Sequence, residues 1–419
     1  MVQSYFTNFQ KLSGNVKLFI LGTAIQGVGL SIYSLLFNLY LKELGFGETA
    51  IGGLISTTSL GISLIAIPAA LIIEKFHVKS LVVVGMLFSS LFYFIQIMHV
   101  SESSLFTFGL LASMFQALFN ISISPFYLRN STPEVRIHLF SLNTSLNMFA
   151  HLVGYLLGGY LPEVLRWFLP EFHRVEIYRA ALFCAIGVVF ISNLAFMQIK
   201  KVPIPKVNKR IFEGLLEKQW RVMIKLIMPR LCLAFGGGMI VPFMNLYLKG
   251  TFNLSVKSLG VAYALLQICI FIGVFMTPAL VKKTSQLKFM VITAGLSVPF
   301  MFSMGIFSSL GFVLMCFFLR GTLMSMSSSI TSVFEMEHVK EKECVFASAM
   351  ILFSYHTVYT MSTRLGGILI ENYSFPPTFF LAGSFYILAV FFYHRFFKHE
   401  DIKVVESTKP AVTIESEAA

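Results

Sequence analysis

Apolar runs of roughly 19 to 27 residues recur about twelve times along this chain, and each is long enough to cross a hydrocarbon core of about 30 Å as a helix rising 1.5 Å per residue. They fall near residues 17–42, 49–73, 80–98, 104–128, 138–161, 178–199, 222–248, 257–281, 288–306, 310–334, 344–370 and 376–396. Only 12% of the residues are charged, against about 25% in soluble domains, and the mean hydropathy is +0.78. Water is therefore not the main solvent of this chain. In lipid only helices and closed barrels satisfy their own backbone. Barrel strands alternate apolar and polar residues with period two, whereas residues 81–97 are apolar all round. The expected fold class is an all-α membrane protein of twelve transmembrane helices.

Cytoplasmic loops carry an excess of Lys and Arg, so the basic residues set the orientation. With both termini inside, twenty-three Lys and Arg lie on the inner side. Six lie on the outer side, Lys42, Arg166, Arg174, Arg179, Lys249 and Lys257, and Arg230, Arg320 and Arg364 lie within spans, which accounts for all 32. The expected location is the cytoplasmic membrane, with both termini cytoplasmic. The net charge of +12 follows from this bias. The basic residues are spread over separate loops, so nucleic acid is not an expected partner. Residues 1–16 are polar and aromatic, and the run after them is too long for a signal-peptide core, so the first helix is expected to stay as an anchor. Cys184, Cys232, Cys269, Cys316 and Cys344 are widely spaced without a C-x-x-C pair and read as small core residues, with no metal site and no cofactor implied.

The longest inner loop, residues 200–225, carries Lys200, Lys201, Lys206, Lys209 and Arg210 with Pro203 and Pro205, and it divides the helices six and six. The expected organisation is a six-helix bundle over 1–199, a cytoplasmic linker over 200–221, a second bundle over 222–397, and a polar, disordered tail over 398–419. The halves repeat each other. Asn38-Leu39-Tyr40-Leu41-Lys42 recurs as Asn245-Leu246-Tyr247-Leu248-Lys249, an offset of 245 − 38 = 207. Gly158-Gly159 recurs as Gly366-Gly367, and Pro68-Ala69 as Pro278-Ala279, at offsets of 208 and 210. A duplicated unit with an even number of spans faces the same way in both copies, which gives two bundles related by a pseudo-two-fold axis along the membrane normal.

Over residues 16–397 the chain resembles the major facilitator superfamily. That family carries, between helices two and three, a glycine, three residues, an aspartate, an arginine, one residue, a glycine and then basic residues. Ala70, Glu74, Lys75, His77 and Lys79 occupy those places here, keeping the acid and the bases and losing both glycines. The resemblance implies an inner latch between Glu74 and Arg129. In the second half Lys282 and Lys283, with Glu335 and Glu337, offer the same pairing with signs exchanged; plain interfacial charges are the other reading. A glycine, proline, two residues and two glycines mark proton-coupled drug antiporters in helix five. Here that place reads Gly154-Tyr155-Leu156-Leu157-Gly158-Gly159, with tyrosine for proline, and close helix packing explains the glycines as well.

Asp401 is the only aspartate, and every glutamate lies in a loop or at a helix end, so proton coupling through a mid-membrane carboxylate lacks its residue. The membrane holds cations instead. Arg320 lies near the midplane of helix ten, where a charge costs at least about 2.5 to 3.5 kcal/mol to insert. It is the first candidate for a bidentate contact with an anionic substrate group; the alternative is that it fastens helices through carbonyls or Gln267. Arg364 and Arg230 lie nearer the faces and can snorkel. Asn143, Asn147 and His151 form one stripe on helix five, and His356, Thr360 and Arg364 another on helix eleven. The two histidines either relay protons, with H+ as coupling ion, or pack as neutral groups. Gln26, Tyr33, Gln116, Asn120, Tyr355 and Tyr359 complete the substrate-binding candidates. Asn38 and Asn245 lie near the outer ends, where capping or gating is as natural as ligand contact.

The resemblance implies a secondary transporter of a small organic solute, an anion among the candidates, working by alternating access; a monomer is expected, since each chain encloses its own cavity. Drug efflux is a second carrier reading and a non-transporting sensor a third. An enzyme is not expected, since the sequence offers no paired acids, nucleophile triad or metal-ligand cluster.

Overall fold

The computed structural model describes residues 13–131, 133–201, 220–339 and 344–398. The linker beyond Lys201 and the tail beyond Lys398 lie outside the described residues. Twelve long helices carry the chain. The first six are α1 (Gly14–Glu43), α2 (Glu48–Lys75), α3 (Val78–Met98), α4 (Glu102–Asn130), α5 (Pro133–Phe168) and α6 (Arg174–Met197). In the second half α7 runs from Trp220–Ile240 through a 3-10 turn, Val241–Phe243, into Met244–Phe252. It is followed by α8 (Val256–Val281), α9 (Gln286–Ile306), α10 (Leu310–Glu337), α11 (Cys344–Tyr373) and α12 (Phe375–Phe397). No strand occurs among the described residues.

The helices start where the sequence places acceptors for their free amides. Ser13, Ser101, Ser255 and Ser285 cap α1, α4, α8 and α9, each accepting a backbone N–H from the third residue on. Gly45, at φ +89°, makes the tight return from α1 to α2, a conformation that costs a residue with a Cβ. Among the described residues eleven helices are long and apolar enough to span a membrane; α11 falls short because it is studded with Ser354, Tyr355, His356, Thr357, Thr360, Ser362, Thr363 and Arg364.

Packing repeats between the halves. In the first, α1 packs on α5 and α6, α3 on α4 and α6, and α2 on α4; in the second, α7 packs on α11 and α12, α9 on α10 and α12, and α8 on α10. Each pair is the image of the other under the sequence offset. The halves meet through α2 against α11 and α5 against α8, again two images of one contact. Asn15 holds the linker end of the first half together, donating to Asn130 and to the Lys200 carbonyl, both at 3.1 Å.

At the far end, opposite the linker, the two bundles approach backbone to backbone. A methyl on Gly52 of α2 would stand 2.8 Å from the Thr363 carbonyl oxygen and 3.2 Å from Gly367 Cα of α11. The image of this crossing pairs Gly159 of α5 with Gly260 of α8, where a methyl on Gly159 would stand 2.9 Å from Gly260 Cα. Both substitutions would push helices apart, so glycine here sets the closeness of the halves.

Candidate functional site

The axis between the bundles is marked at its far end by the repeated asparagines. In α7 the regular helix runs through Gly236-Gly237-Gly238 to Ile240 and is interrupted at Val241–Phe243, where Pro242 supplies no amide. Asn38 of α1 donates to the Pro242 carbonyl at 2.7 Å and to Asn245 Oδ1 at 3.1 Å. Asn245 donates to the Leu35 carbonyl at 3.1 Å. Around this pair, Lys249 reaches Glu43 at 3.2 Å and Tyr178 at 3.0 Å. Glu371 of α11 accepts the Thr49 amide at 2.7 Å, at the start of α2. That amide bond is the main reason the Glu371 carboxyl is held below the usual carboxylate range, with the nearby Lys42 adding to it. The far end is thus closed by contacts between the halves. Deeper, Ser63 of α2 meets Thr357 of α11 at 2.6 Å.

Toward the linker end, polar side chains stand exposed on α4 and α10: Asn120 and Ser124, and Ser328, Ser329 and Ser332. The Ser329 and Ser332 hydroxyls bond back to the Ser325 and Ser328 carbonyls of their own helix at 2.9 and 3.2 Å, and Asn120 Oδ1 accepts from Gln116 at 3.5 Å.

In the second half a cationic and aromatic cluster forms where α10, α11 and α12 meet. Arg320 is 5% exposed, donates to the Tyr386 hydroxyl of α12 at 2.7 Å, and holds its guanidinium 5.5 Å from the centre of that ring. Its Nε is buried without a partner, and among the described residues no carboxylate pairs with it. Tyr355 and Tyr359 of α11 stack at 5.9 Å, and Tyr359 lies beside the Tyr386 hydroxyl over Gly237. Gly236 and Gly237 leave the room that the Tyr386 ring fills. Tyr355 also feels Arg230 of α7, whose guanidinium grips Glu335 of α10 with Nε and Nη2 at 2.5 and 2.9 Å.

In the first half, Asn143 accepts from Tyr127 at 2.7 Å and from Thr23 at 3.4 Å, and Asn147 donates to Asn143 Oδ1 at 3.0 Å. His151 is 2.6 Å from Ser31 of α1. These bonds fasten α1, α4 and α5 to one another. Tyr33 donates to Gln96 at 2.8 Å, and Gln116 accepts from Ser89 at 3.2 Å while reaching Asn120 at 3.5 Å. Tyr33 and Gln116 therefore spend their polar groups inside the first bundle.

The candidates read from sequence divide accordingly. Arg320, Tyr355 and Tyr359 are brought together, and His356 adjoins them with a buried Nδ1 that has no partner. Gln26 is buried on α1 and Gln267 half-buried on α8; the partner of Arg320 is Tyr386, not Gln267. Arg364 is exposed and lines a cavity of about 850 Å³ at the far end with Glu102 and Glu371, apart from the cluster. At the linker end Arg129 donates to the Ile73 carbonyl at 3.3 Å, and the side chain of Glu74 lies outside the described residues. Lys75, Lys282 and Lys283 are exposed. Glu337 accepts from Gln286 at 3.4 Å, and Glu335 is held by Arg230, not by Lys282 or Lys283. The expected snorkelling of Arg230 is thus replaced by a buried ion pair, because Glu335, 2% exposed, turns inward from the last turns of α10. Tyr386 was missed from the sequence; its aromatic ring on an apolar helix gave no signal until α7 supplied the glycine gap against it.

Among curated proteins none matches the sequence. Solved structures share the fold. The bacterial homologue of the human lysosomal transporter Spinster, inward-facing and unoccupied, aligns with TM-score 0.74 at 12% identity over 93% of this chain and 98% of its own. The nucleoside transporter NupG gives 0.74 at 13% over 92% and 100%, and a D-xylose–proton symporter gives 0.73 at 11% over 91% and 97%. A family profile described as the Major Facilitator Superfamily matches residues 19–363 and also residues 230–415. With twelve helices in two bundles repeating each other's packing, this chain belongs to the major facilitator superfamily and has the fold of a multi-pass membrane transporter.

Proposed function

We propose that the chain carries a small organic anion across the cytoplasmic membrane by alternating access, with the linker end facing the cytoplasm and Arg320 contacting the anionic group. The observation that carries this reading is the state of Arg320. It is a buried cation with one guanidinium nitrogen unpartnered, one resting on a tyrosine hydroxyl, and no described carboxylate to neutralise it. A structural arginine in a membrane normally finds an acid or several carbonyls, as Arg230 finds Glu335. Arg320 is left able to form the two parallel N–H bonds that suit a carboxylate, and the stacked Tyr355 and Tyr359 give an organic substrate an apolar wall. The halves meet at the far end in this structure, so the site is served from the linker side; rocking about the Asn38–Asn245 contact would serve it from the other. Carriers of nucleosides and of D-xylose share the fold, which suits an organic solute without naming one.

The test is a thermal-shift screen of purified protein against organic anions, sugars and cationic drugs, with Arg320→Ala beside it. A bound ligand stabilises by RT ln(1 + [L]/Kd). An anion that stabilises the parent and not the variant supports the reading. A drug that stabilises both overturns it and favours efflux.

A further inference from the structure

Three basic residues at the far end, Arg166, Arg174 and Lys249, line a single cavity of about 370 Å³. The cavity lies on the boundary between the bundles. Arg166 and Arg174 come from the end of α5 and the start of α6, whereas Lys249 comes from the end of α7, and Ser255 ahead of α8 closes the wall.

The three cations differ in what holds them. Lys249 is fixed by Glu43 and Tyr178. Among the described residues Arg166 and Arg174 have neither a hydrogen-bond nor an ion-pair partner; Glu163, one turn before Arg166, also lines the cavity but forms no bridge to it. Arg166 and Arg174 are exposed, and with Lys249 offset by Glu43 the lining sets these two cations against Glu163, a formal excess of 2 − 1 = +1 that suits an anion. The volume is that of a small-molecule site, about 300 to 1,000 Å³. Next to Arg166, Trp167 is 84% exposed, a residue type that settles at the membrane–water boundary. The cavity therefore opens at the level of lipid headgroups, where phosphates are the prevailing anions, and arginine forks match phosphate oxygens in pairs.

We propose that this seam cavity binds a phosphoryl group, from an anionic phospholipid headgroup or from inorganic phosphate. By contacting both bundles it ties the α5–α6 turn to the α7–α8 turn and holds the far end shut. The site is remote from Arg320, so its occupancy is independent of the substrate reading.

The experiment compares the parent protein, the Arg166→Gln/Arg174→Gln double variant and Arg320→Ala. One arm adds inorganic phosphate in detergent, with chloride at equal ionic strength as control. The other uses nanodiscs of phosphatidylcholine with and without phosphatidylglycerol. Melting temperature is read together with amide hydrogen exchange over residues 241–253. The expected result is a rise of several degrees and slower exchange in the parent and in Arg320→Ala, both lost in the double variant. A response to phosphate assigns a soluble ligand, and a response to phosphatidylglycerol alone assigns the lipid. The proposal is overturned if neither probe exceeds its control in the parent, or if the double variant responds as fully as the parent does. Loss of the response in Arg320→Ala would also overturn it, by placing the anion at the central site.

Discussion

Asn38 and Asn245 bind each other's helices reciprocally: each donates to the carbonyl that lies three residues before the other, Asn38 to Pro242 and Asn245 to Leu35. Because 242 − 35 equals 245 − 38, the two bonds are images under the internal repeat, and the contact is isologous within one chain, as across a dimer axis. A duplicated sequence has thus placed one residue type on both sides of its own symmetry axis.

That arrangement predicts coupling. Asn38→Ala and Asn245→Ala should each loosen the far end by about 1–3 kcal/mol, since each leaves a buried polar group behind. The double variant should cost less than the two added together. Melting temperatures of the three proteins, with labelling of cysteines introduced at the far end, provide the check; additive costs would mean that the asparagines act separately.

The glycine crossing offers a comparison with an internal control. Gly52→Ala should cost about 1–3 kcal/mol, because its new methyl meets the Thr363 carbonyl and the Gly367 backbone. Gly53→Ala, one residue on, meets nothing within 4 Å and should be neutral or slightly stabilising, as alanine favours helix. Equal effects in a thermal-stability assay would argue against the crossing as the point of closest approach.

The Arg230–Glu335 pair should respond asymmetrically. Glu335→Ala leaves a mostly buried guanidinium alone and should cost up to about 3–5 kcal/mol, less whatever water relieves at Arg230, whose side chain is 16% exposed. Arg230→Met combined with Glu335→Leu should recover much of that loss. A double variant as unstable as the single would show that the pair contributes net stability beyond mutual neutralisation.

Glu371 makes the far end sensitive to acid. Its carboxyl is held below the ordinary value of 4.5, chiefly by the Thr49 amide. A depressed folded value means that its contribution to closure is present above 4.5 and is lost as the pH falls through the lower, folded value. Acid should therefore raise the labelling of cysteines introduced at the far end, and Glu371→Gln should flatten that dependence. An unchanged profile in the variant would assign the effect to other groups.

The sequence made some of this legible and hid the rest for physical reasons. Helix number and the pairing of the halves followed from apolar run length and from the offset of 207 to 210, because lipid permits few alternatives to a spanning helix. The same offset flagged Asn38 with Asn245 and Gly159 with Gly367. It gave no sign that Gly52 and Gly260 are their counterparts in the seam, since isolated glycines in helices carry no local signature. Arg320 stood out because a midplane charge is costly. Its contact with Tyr386, and the turn of Glu335 toward Arg230, depend on how α7, α10, α11 and α12 cross, which no run of residues states by itself. Tyr33 and Gln116 were legible as polar but not in direction, and both face their own bundle.

The polarity of α11 bears on how the protein is made. A segment with Tyr355, His356 and Thr357 near its middle and Arg364 toward its far end gains little from entering lipid alone, unlike the eleven other described helices. It has to be received by surfaces already in place: α7, where Ser362 bonds the Phe235 carbonyl, and α2, through Ser63 and Gly52. The first bundle and α7 then serve as a template during synthesis, and the last hairpin is the step at which biogenesis is most open to failure.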